Sequence, residues 1–234
     1  MWSGGTWVPD RFRMGSWMSG FKTVEEYTNP DFVPPNPVPL KPEPMKVYKN
    51  IRSEMRKGRQ IFGPYAECHP AGLPYRFSIG YFTVVSTPAE IDFLYADLNY
   101  RRIYMDGRPA PDPAKTPPSY YGHSLGHWEG RTLVVETSNI RGKNTQIEPH
   151  IPKAEGSRIV ERYKPEGPNV MAVHFTMTNP DFTKPWSVDF KILRDPKRVL
   201  VEDICSDGNR YILEEGGELT MHSAEGKPLE RAED

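Results

Sequence analysis

The sequence predicts a mainly β protein, an antiparallel up-and-down β-barrel, from three observations. Residues 75–205 alternate between short segments rich in β-branched and aromatic residues and turns rich in Gly, Pro, Asn and Asp. The 234 residues include 25 prolines and 19 glycines, a proportion that suits many short elements. A meander of about nine strands avoids exposed edges by closing on itself, although a two-layer sandwich would show the same periodicity.

The predicted strands follow one another with mainly short connections. We expect them at 79–87, 91–98, 101–105, 121–128, 132–138, 157–163, 170–178, 186–193 and 198–205. The pair 121–128 and 132–138 is the clearest hairpin, because the sequence Trp-Glu-Gly-Arg between them is typical of a tight turn. Long loops at 109–118 and 139–156 interrupt the meander, and such loops in compact β domains are often functional.

We divide the chain into an N-terminal arm and helix (1–60), a β-barrel domain (61–212) and an acidic C-terminal tail (213–234). The aromatic residues of the arm have no steady period, and 34–39 is an extended, proline-rich polyproline II segment. The arm is expected to pack along the barrel surface, and the alternatives are a swapped arm that joins a homo-oligomer or a lid over a pocket. Apolar residues at helical spacing predict one helix over 43–59.

Charge and cysteine content restrict the partners and the compartment. The net charge of −1 gives no general attraction to nucleic acid, and no apolar run is long enough to predict a membrane span. The first residues lack the pattern of a signal peptide, so the protein is either cytoplasmic or has lost a leader. Cys68 and Cys205 form either one disulfide in an oxidising compartment or two buried thiols in a reducing one. No metal-binding spacing is present, and we predict neither a metal nor an organic cofactor.

Five segments carry a resemblance to a known family: C-H-P-A-G-L-P (68–74), I-Y-M-D-G-R-P (103–109), G-H-S-L-G-H-W-E-G-R-T-L-V-V (122–135), V-E-R-Y (160–163) and N-P…P-W (179–186). In this order they resemble a bacterial family of mostly uncharacterised proteins from soil and aquatic species, many of them exported. The resemblance implies a lipocalin-like barrel and a periplasmic or secreted location, but no catalytic residues. Arg131 stands where that family commonly has an acidic residue, and Ser206-Asp207 where it commonly has a histidine–glutamate pair.

The segment 122–126, G-H-S-L-G, formally matches the nucleophile elbow of α/β-hydrolases. That elbow needs a buried strand before the serine and a helix after it, whereas a hairpin is predicted here. Neighbours on a strand point to opposite faces, so His123 is badly placed to activate Ser124. A serine hydrolase that uses Ser124 is therefore only the third hypothesis.

Four residues are candidate catalytic groups: His123, His127, Glu161 and Asp203. His123 and His127 share one face of a strand but lie about 13 Å apart, which is too far for one metal ion. Facing inward, they suit acid/base and hydrogen-bonding roles; otherwise they are surface histidines. Glu161 is either an inward general base or one half of a cross-strand ion pair. Asp203 shares an apparently interior face with apolar neighbours.

Six residues are candidate substrate-binding groups: Tyr104, Arg108, Tyr121, Trp128, His174 and Trp186. The aromatic residues either stack on a ligand or pack in the core. Arg108 binds a carboxylate or forms an ion pair within its own turn. His174 lies opposite the apolar face of 170–178. It is a surface residue if ordinary core packing holds, and it faces a polar cavity if that apolar face instead lies under the helix or the arm.

The leading hypothesis is a cofactor-independent acid/base enzyme, of lyase, isomerase or hydratase type, acting on a small aromatic or apolar molecule in a barrel pocket. The alternative is a non-catalytic, exported protein that binds such a molecule. An enzyme requires two or more ionisable side chains that converge on one cavity. A binding protein requires a chiefly apolar cavity without such convergence.

Overall fold

The chain forms a closed nine-stranded β-barrel in a computed structural model, which describes residues 5–9, 18–59, 61, 63–205, 211–213 and 219–221. The strands are β1 (Thr6–Pro9), β2 (Phe82–Ser86), β3 (Glu90–Tyr95), β4 (Tyr100–Tyr104), β5 (His123–Glu129), β6 (Thr132–Ile140), β7 (Ser157–Gly167), β8 (Val170–Thr178) and β9 (Trp186–Asp195). They pair in chain order, and β1 closes the ring against β9. The mainly β barrel prediction is confirmed, and the sandwich alternative is wrong.

One pair of strands departs from a strict up-and-down meander. All neighbouring strands are antiparallel except β4 and β5, which are parallel, with Ile103 opposite Ser124. Parallel neighbours need a connection that returns the chain to the end where it started. The proline-rich stretch 105–122 makes that return and therefore has a topological role.

The ninth strand comes from the arm and not from 198–205, so two predictions are corrected. Trp7 is buried, and β1 pairs with β2 and with β9. Because β1 occupies the free edge of β9, the chain after Asp195 has no edge to join. Val199 and Val201 are exposed, and this segment is held in part by the Asp203 amide, which donates to the carbonyl of Ala96 at 2.8 Å. The arm therefore enters the barrel wall instead of lying along its surface.

Two α-helices precede the continuous part of the barrel: α1 (Val24–Thr28) and α2 (Pro42–Arg56). The longer one matches the helix predicted over 43–59. Its Arg52 is buried and donates to the carbonyls of Tyr27 at 2.6 Å and Glu26 at 2.9 Å, so that α2 holds the arm in place. Within the described ranges, each helix is too short or too polar to cross a bilayer.

A disulfide and a small second sheet complete the described structure. Cys68 bonds to Cys205 across a sequence separation of 137 residues, which resolves the choice between a disulfide and two thiols. Strands β10 (Tyr211–Leu213) and β11 (Leu219–Met221) form a two-stranded sheet. The remainder of the predicted C-terminal tail lies outside the described residues.

The barrel interior is filled with side chains. Inward residues alternate with outward ones along each long strand, as in β7, where Ile159, Glu161 and Tyr163 are buried and their neighbours are exposed. One end is plugged by Phe77 of a 3₁₀ turn, which packs on Phe175 and Phe190. The other end, where the β5–β6 and β7–β8 turns lie, is called the mouth below.

Candidate functional site

A buried ion pair lies inside the barrel between β4 and β7. The side chains of Arg101 and Glu161 are both fully buried. Arg101 donates from Nη1 to Oε2 at 2.7 Å and from Nη2 to Oε1 at 2.6 Å, a two-pronged geometry that suits a guanidinium and a carboxylate. Glu161 faces the interior, as one interpretation of the sequence requires. It is not a free general base, however, because its carboxylate is paired with Arg101.

Three hydroxyl groups complete this buried cluster. Tyr163 donates to Glu161 Oε2 at 2.5 Å, and Arg101 Nη2 donates to Thr137 Oγ1 at 2.8 Å and to Ser124 Oγ at 3.0 Å. Burial raises the pKa of Tyr163, and the adjacent carboxylate raises it further. Burial alone would lower the pKa of Arg101, but Glu161, Tyr163 and Tyr95 together outweigh that effect and the pKa is raised. Within this cluster Arg101 therefore stays cationic and the phenol of Tyr163 stays protonated.

The position of Ser124 differs from that of a hydrolase nucleophile. It lies on a strand, 1% exposed, and its hydroxyl is bonded to Arg101 and Thr137. His123 is on the opposite face of the same strand, as alternation predicts. Among the described residues, no histidine hydrogen-bonds to Ser124.

His123 and His127 lie on the outside of the barrel, so their inward-facing interpretation is wrong. His123 stacks on Tyr104 with the ring centroids 5.0 Å apart. Its Nε2 is buried without a hydrogen-bond partner among the described residues, and burial and the nearby Arg108 lower its pKa. The side chain of His127 is 53% exposed, 3.4 Å from Glu129.

His174 lies on the outer surface as well, 2.9 Å from Asp189, as ordinary core packing predicts. It borders a depression of about 660 Å³ on the outer face of β7–β9, whose charged residues include Lys191 and Glu166, paired at 2.8 Å. Asp203 is exposed and outside the sheet, so its predicted interior position is wrong as well. The four candidate catalytic residues therefore do not converge on one cavity.

Three of the candidate binding residues lie in packing or ion-pair positions. Tyr121 stacks on Tyr95 at 5.5 Å, and Trp186 packs edge-on against Phe175 at 5.7 Å. Arg108 pairs with Asp106 of its own turn at 2.5 Å and lies over the ring of Tyr104 at 3.8 Å. These contacts match the structural alternatives given for these residues, which are core packing for the two aromatic rings and an ion pair within its own turn for Arg108.

Trp128 is the candidate that lines a cavity at the mouth of the barrel. This cavity has a volume of about 550 Å³, within the range of small-molecule sites. Trp128 projects from the inward face of β5 and is nevertheless 51% exposed. The other lining residues come from β1, β2, β3, β7, β8 and β9 and from the turns of the mouth: Trp7, Ser86, Ile91, Gly130, Arg131, Pro165, Gly167, Pro168, Met171 and Arg194.

The floor of this mouth cavity separates it from the buried cluster. Trp7 and Met171 line the mouth cavity and also a void of about 10 Å³ beneath it, which Tyr163 borders from below. A void of this size has room for about one water molecule. The mouth cavity can thus hold a small ligand while the described side chains keep their positions.

Sequence reasoning missed Trp7, Met171 and Arg194 as cavity residues and Arg101 as the partner of Glu161. Trp7 is one of several aromatic residues scattered through the arm. Arg101 lies next to Arg102, and only the strand phase separates the buried arginine from the exposed one. If Ile103 is recognised as a core residue, strand alternation places Arg101 on the same inward face and Arg102 on the outer face.

Lys153, in the loop between β6 and β7, is another buried basic residue that was not predicted. It is 5% exposed and donates from Nζ to the carbonyl of Leu73. Burial lowers its pKa to about 7. Between about pH 7 and pH 10.4 the unfolded chain holds a proton here that the folded chain does not, so stability rises with pH across that window.

We expect Lys153→Met to remove this pH dependence. In urea unfolding between about pH 7.5 and pH 9.5, the wild type should gain stability relative to the variant, by at most about 1.4 kcal/mol per pH unit for one proton. Other titrating groups are common to both proteins and cancel in the difference. Equal slopes in the two proteins would contradict the assigned pKa.

Comparison of the chain with protein-family models, with curated proteins and with solved structures found no match. The closed barrel therefore stands on the structure itself. The family resemblance carried by the 122–135 segment stays a prediction.

Proposed function

We propose that this protein binds a small apolar or aromatic molecule in the mouth cavity and does so without catalysis. The observation that carries the proposal is the lining of that cavity. Trp7, Trp128 and Met171 offer aromatic and polarisable surface, and Trp128 is half exposed although large aromatic rings are usually covered. A bound ring that covers Trp128 would bury that apolar surface.

The charged groups favour binding over turnover. The cavity lining contains two arginines but no histidine, aspartate, glutamate, lysine, cysteine or tyrosine among the described residues. Arginine stays protonated and does not serve as an ordinary acid/base group. His127 and His174 are on the outer surface, and Glu161 is paired with Arg101.

We also propose that the protein works in an oxidising compartment, periplasmic or secreted. Disulfides persist in such compartments and are rare in the cytosol, and Cys68 is bonded to Cys205. The predicted family resemblance points the same way. Thiol alkylation of intact cells tests this: trapping of both cysteines as free thiols would contradict it.

Removing the exposed indole should weaken ligand binding. We expect Trp128→Ala to bind the neutral fluorescent probe N-phenyl-1-naphthylamine about tenfold more weakly than the wild type, because one aromatic stacking contact is lost. Fluorescence titration measures the affinity. Tyr100→Ala is the matched control, since Tyr100 is 58% exposed but does not line the cavity. Absence of probe binding, or equal affinities for wild type and Trp128→Ala, would contradict the proposal.

A second candidate, the acid/base enzyme, is favoured by one observation. Tyr163 contacts Glu161 at 2.5 Å and also borders the small void under the mouth cavity. A ligand that displaced Trp7 would therefore meet a phenol linked to a carboxylate. Mass spectrometry of a natural ligand after incubation with excess protein distinguishes the two functions, because recovery of unchanged ligand argues against the enzyme.

A further inference from the structure

The charges around the mouth cavity are unevenly distributed. Within the described structure, the cavity is lined by two guanidinium groups, those of Arg131 and Arg194, and by no carboxylate. The chain as a whole is close to neutral, with a net charge of −1. The positive lining is therefore a local feature and does not follow from the overall composition.

Three carboxylates close in sequence to the lining residues are paired with other cations. Glu129 lies 2.5 Å from Arg162, Glu166 lies 2.8 Å from Lys191, and Asp195 lies 3.8 Å from Arg198. None of these six residues belongs to the cavity lining. These ion pairs lie outside the cavity, so the three carboxylates are engaged by cations other than Arg131.

Arg131 is well placed to meet a ligand. It follows Gly130, whose positive φ of 58° permits the tight β5–β6 turn, and it is exposed. In the part of the chain that the structure describes, Arg131 makes no ion pair. Arg194, on β9, also lines the cavity, and its guanidinium carbon lies 5.9 Å from the ring centroid of Trp7. Cationic groups thus lie beside the aromatic surface.

We propose that the ligand is an anion with an apolar or aromatic body, such as a small aromatic carboxylate or sulfonate. This inference rests on the proposed function and adds its ligand class. The ring contacts Trp128 above the floor of Trp7 and Met171, and the acidic group meets the guanidinium of Arg131, with Arg194 as a second positive charge. A guanidinium matches a carboxylate or sulfonate by paired, charge-assisted hydrogen bonds.

Two probes that share an anilinonaphthalene body but differ in charge test the inference. These are 8-anilinonaphthalene-1-sulfonate, which is an anion, and the neutral N-phenyl-1-naphthylamine. We expect the anion to bind the wild type about tenfold more tightly at low salt, because it alone makes charge-assisted hydrogen bonds. Added salt should weaken binding of the anion and leave the neutral probe nearly unaffected, because exposed charges are screened.

Arg131→Gln should lower the affinity for the anionic probe about three- to tenfold and leave that for the neutral probe unchanged. Arg56→Gln is the matched control, because Arg56 is an exposed arginine of α2 that does not line the cavity. Urea unfolding of each variant checks that the fold is retained. The salt titration of the wild type needs no variant and gives a second, independent result.

The outcomes separate the ligand class from the proposed function. Selective loss of the anionic probe in Arg131→Gln, together with its salt dependence, supports the inference. If both probes bind equally, without salt dependence, and Trp128→Ala weakens both, then the anionic class is wrong and the binding function stands. If neither probe binds, or Trp128→Ala leaves both affinities unchanged, the proposed function and the inference are both overturned.

Discussion

Replacing Glu161 by leucine is expected to lower the free energy of unfolding by about 3–5 kcal/mol, because the change leaves the guanidinium of Arg101 buried without its counter-charge. Both side chains are fully buried, so water cannot replace the lost carboxylate. Tyr163 and Thr137 would each lose a hydrogen-bond acceptor in the same step. Urea denaturation of the wild type and the variant measures this cost.

Two further variants make the interpretation specific. The double variant Arg101→Met with Glu161→Leu should recover much of the lost stability, because an apolar pair of similar volume avoids the desolvation of two charges. Arg102→Met is the control on the neighbouring position, where the guanidinium pairs with Asp92 at 2.9 Å on the barrel surface, and it should cost far less. A Glu161→Leu protein as stable as the wild type would show that the buried pair is wrongly placed.

Removal of the disulfide is the second large effect that we expect. Replacing Cys68 and Cys205 by serine should lower the free energy of unfolding by about 2–5 kcal/mol, because the bond joins positions 137 residues apart and so restricts the unfolded chain strongly. Urea denaturation with and without dithiothreitol measures the effect. The reductant should destabilise the wild type and leave the double serine variant unchanged; equal stability of oxidised and reduced wild type would contradict the assignment.

Much of the fold could be predicted because local patterns determine it. The hairpin of β5 and β6 has a glycine turn between two alternating segments, and β7 and β8 alternate cleanly along their length. β1 could not be predicted in this way, since four residues are too few to show a period. Its place depends on the two strand edges that it joins, β2 and β9, which are distant in sequence. The segment 198–205 has the composition of a strand but finds no free edge.

The candidate site was predictable only in part, for a related reason. Alternation correctly separated Ser124 and Trp128 from His123 and His127, but it did not say which of the two sets faces inward. The inward set proved to include Ser124, whose hydroxyl accepts from Arg101 of β4, and Arg101 in turn pairs with Glu161 of β7 across the barrel. Contacts between strands that are not neighbours leave no periodic signal in the sequence.

The mouth cavity was the least predictable feature, because residues from several turns and strand ends build it together. Trp128 was named for its aromatic character, whereas Trp7 and Met171 reach the cavity through barrel closure and through the inward phase of β8. We therefore propose ligand binding at the mouth, while the polar cluster of the interior is structural and His123, His127 and His174 lie on the outer wall.

A crystal structure of the protein with bound N-phenyl-1-naphthylamine tests this account most directly. We expect density for the naphthalene ring against Trp128, above the floor that Trp7 and Met171 form, with the Arg101–Glu161 pair unchanged beneath it. Density for the probe on the outer wall beside His123 or His174, with the mouth cavity empty of it, would contradict the account.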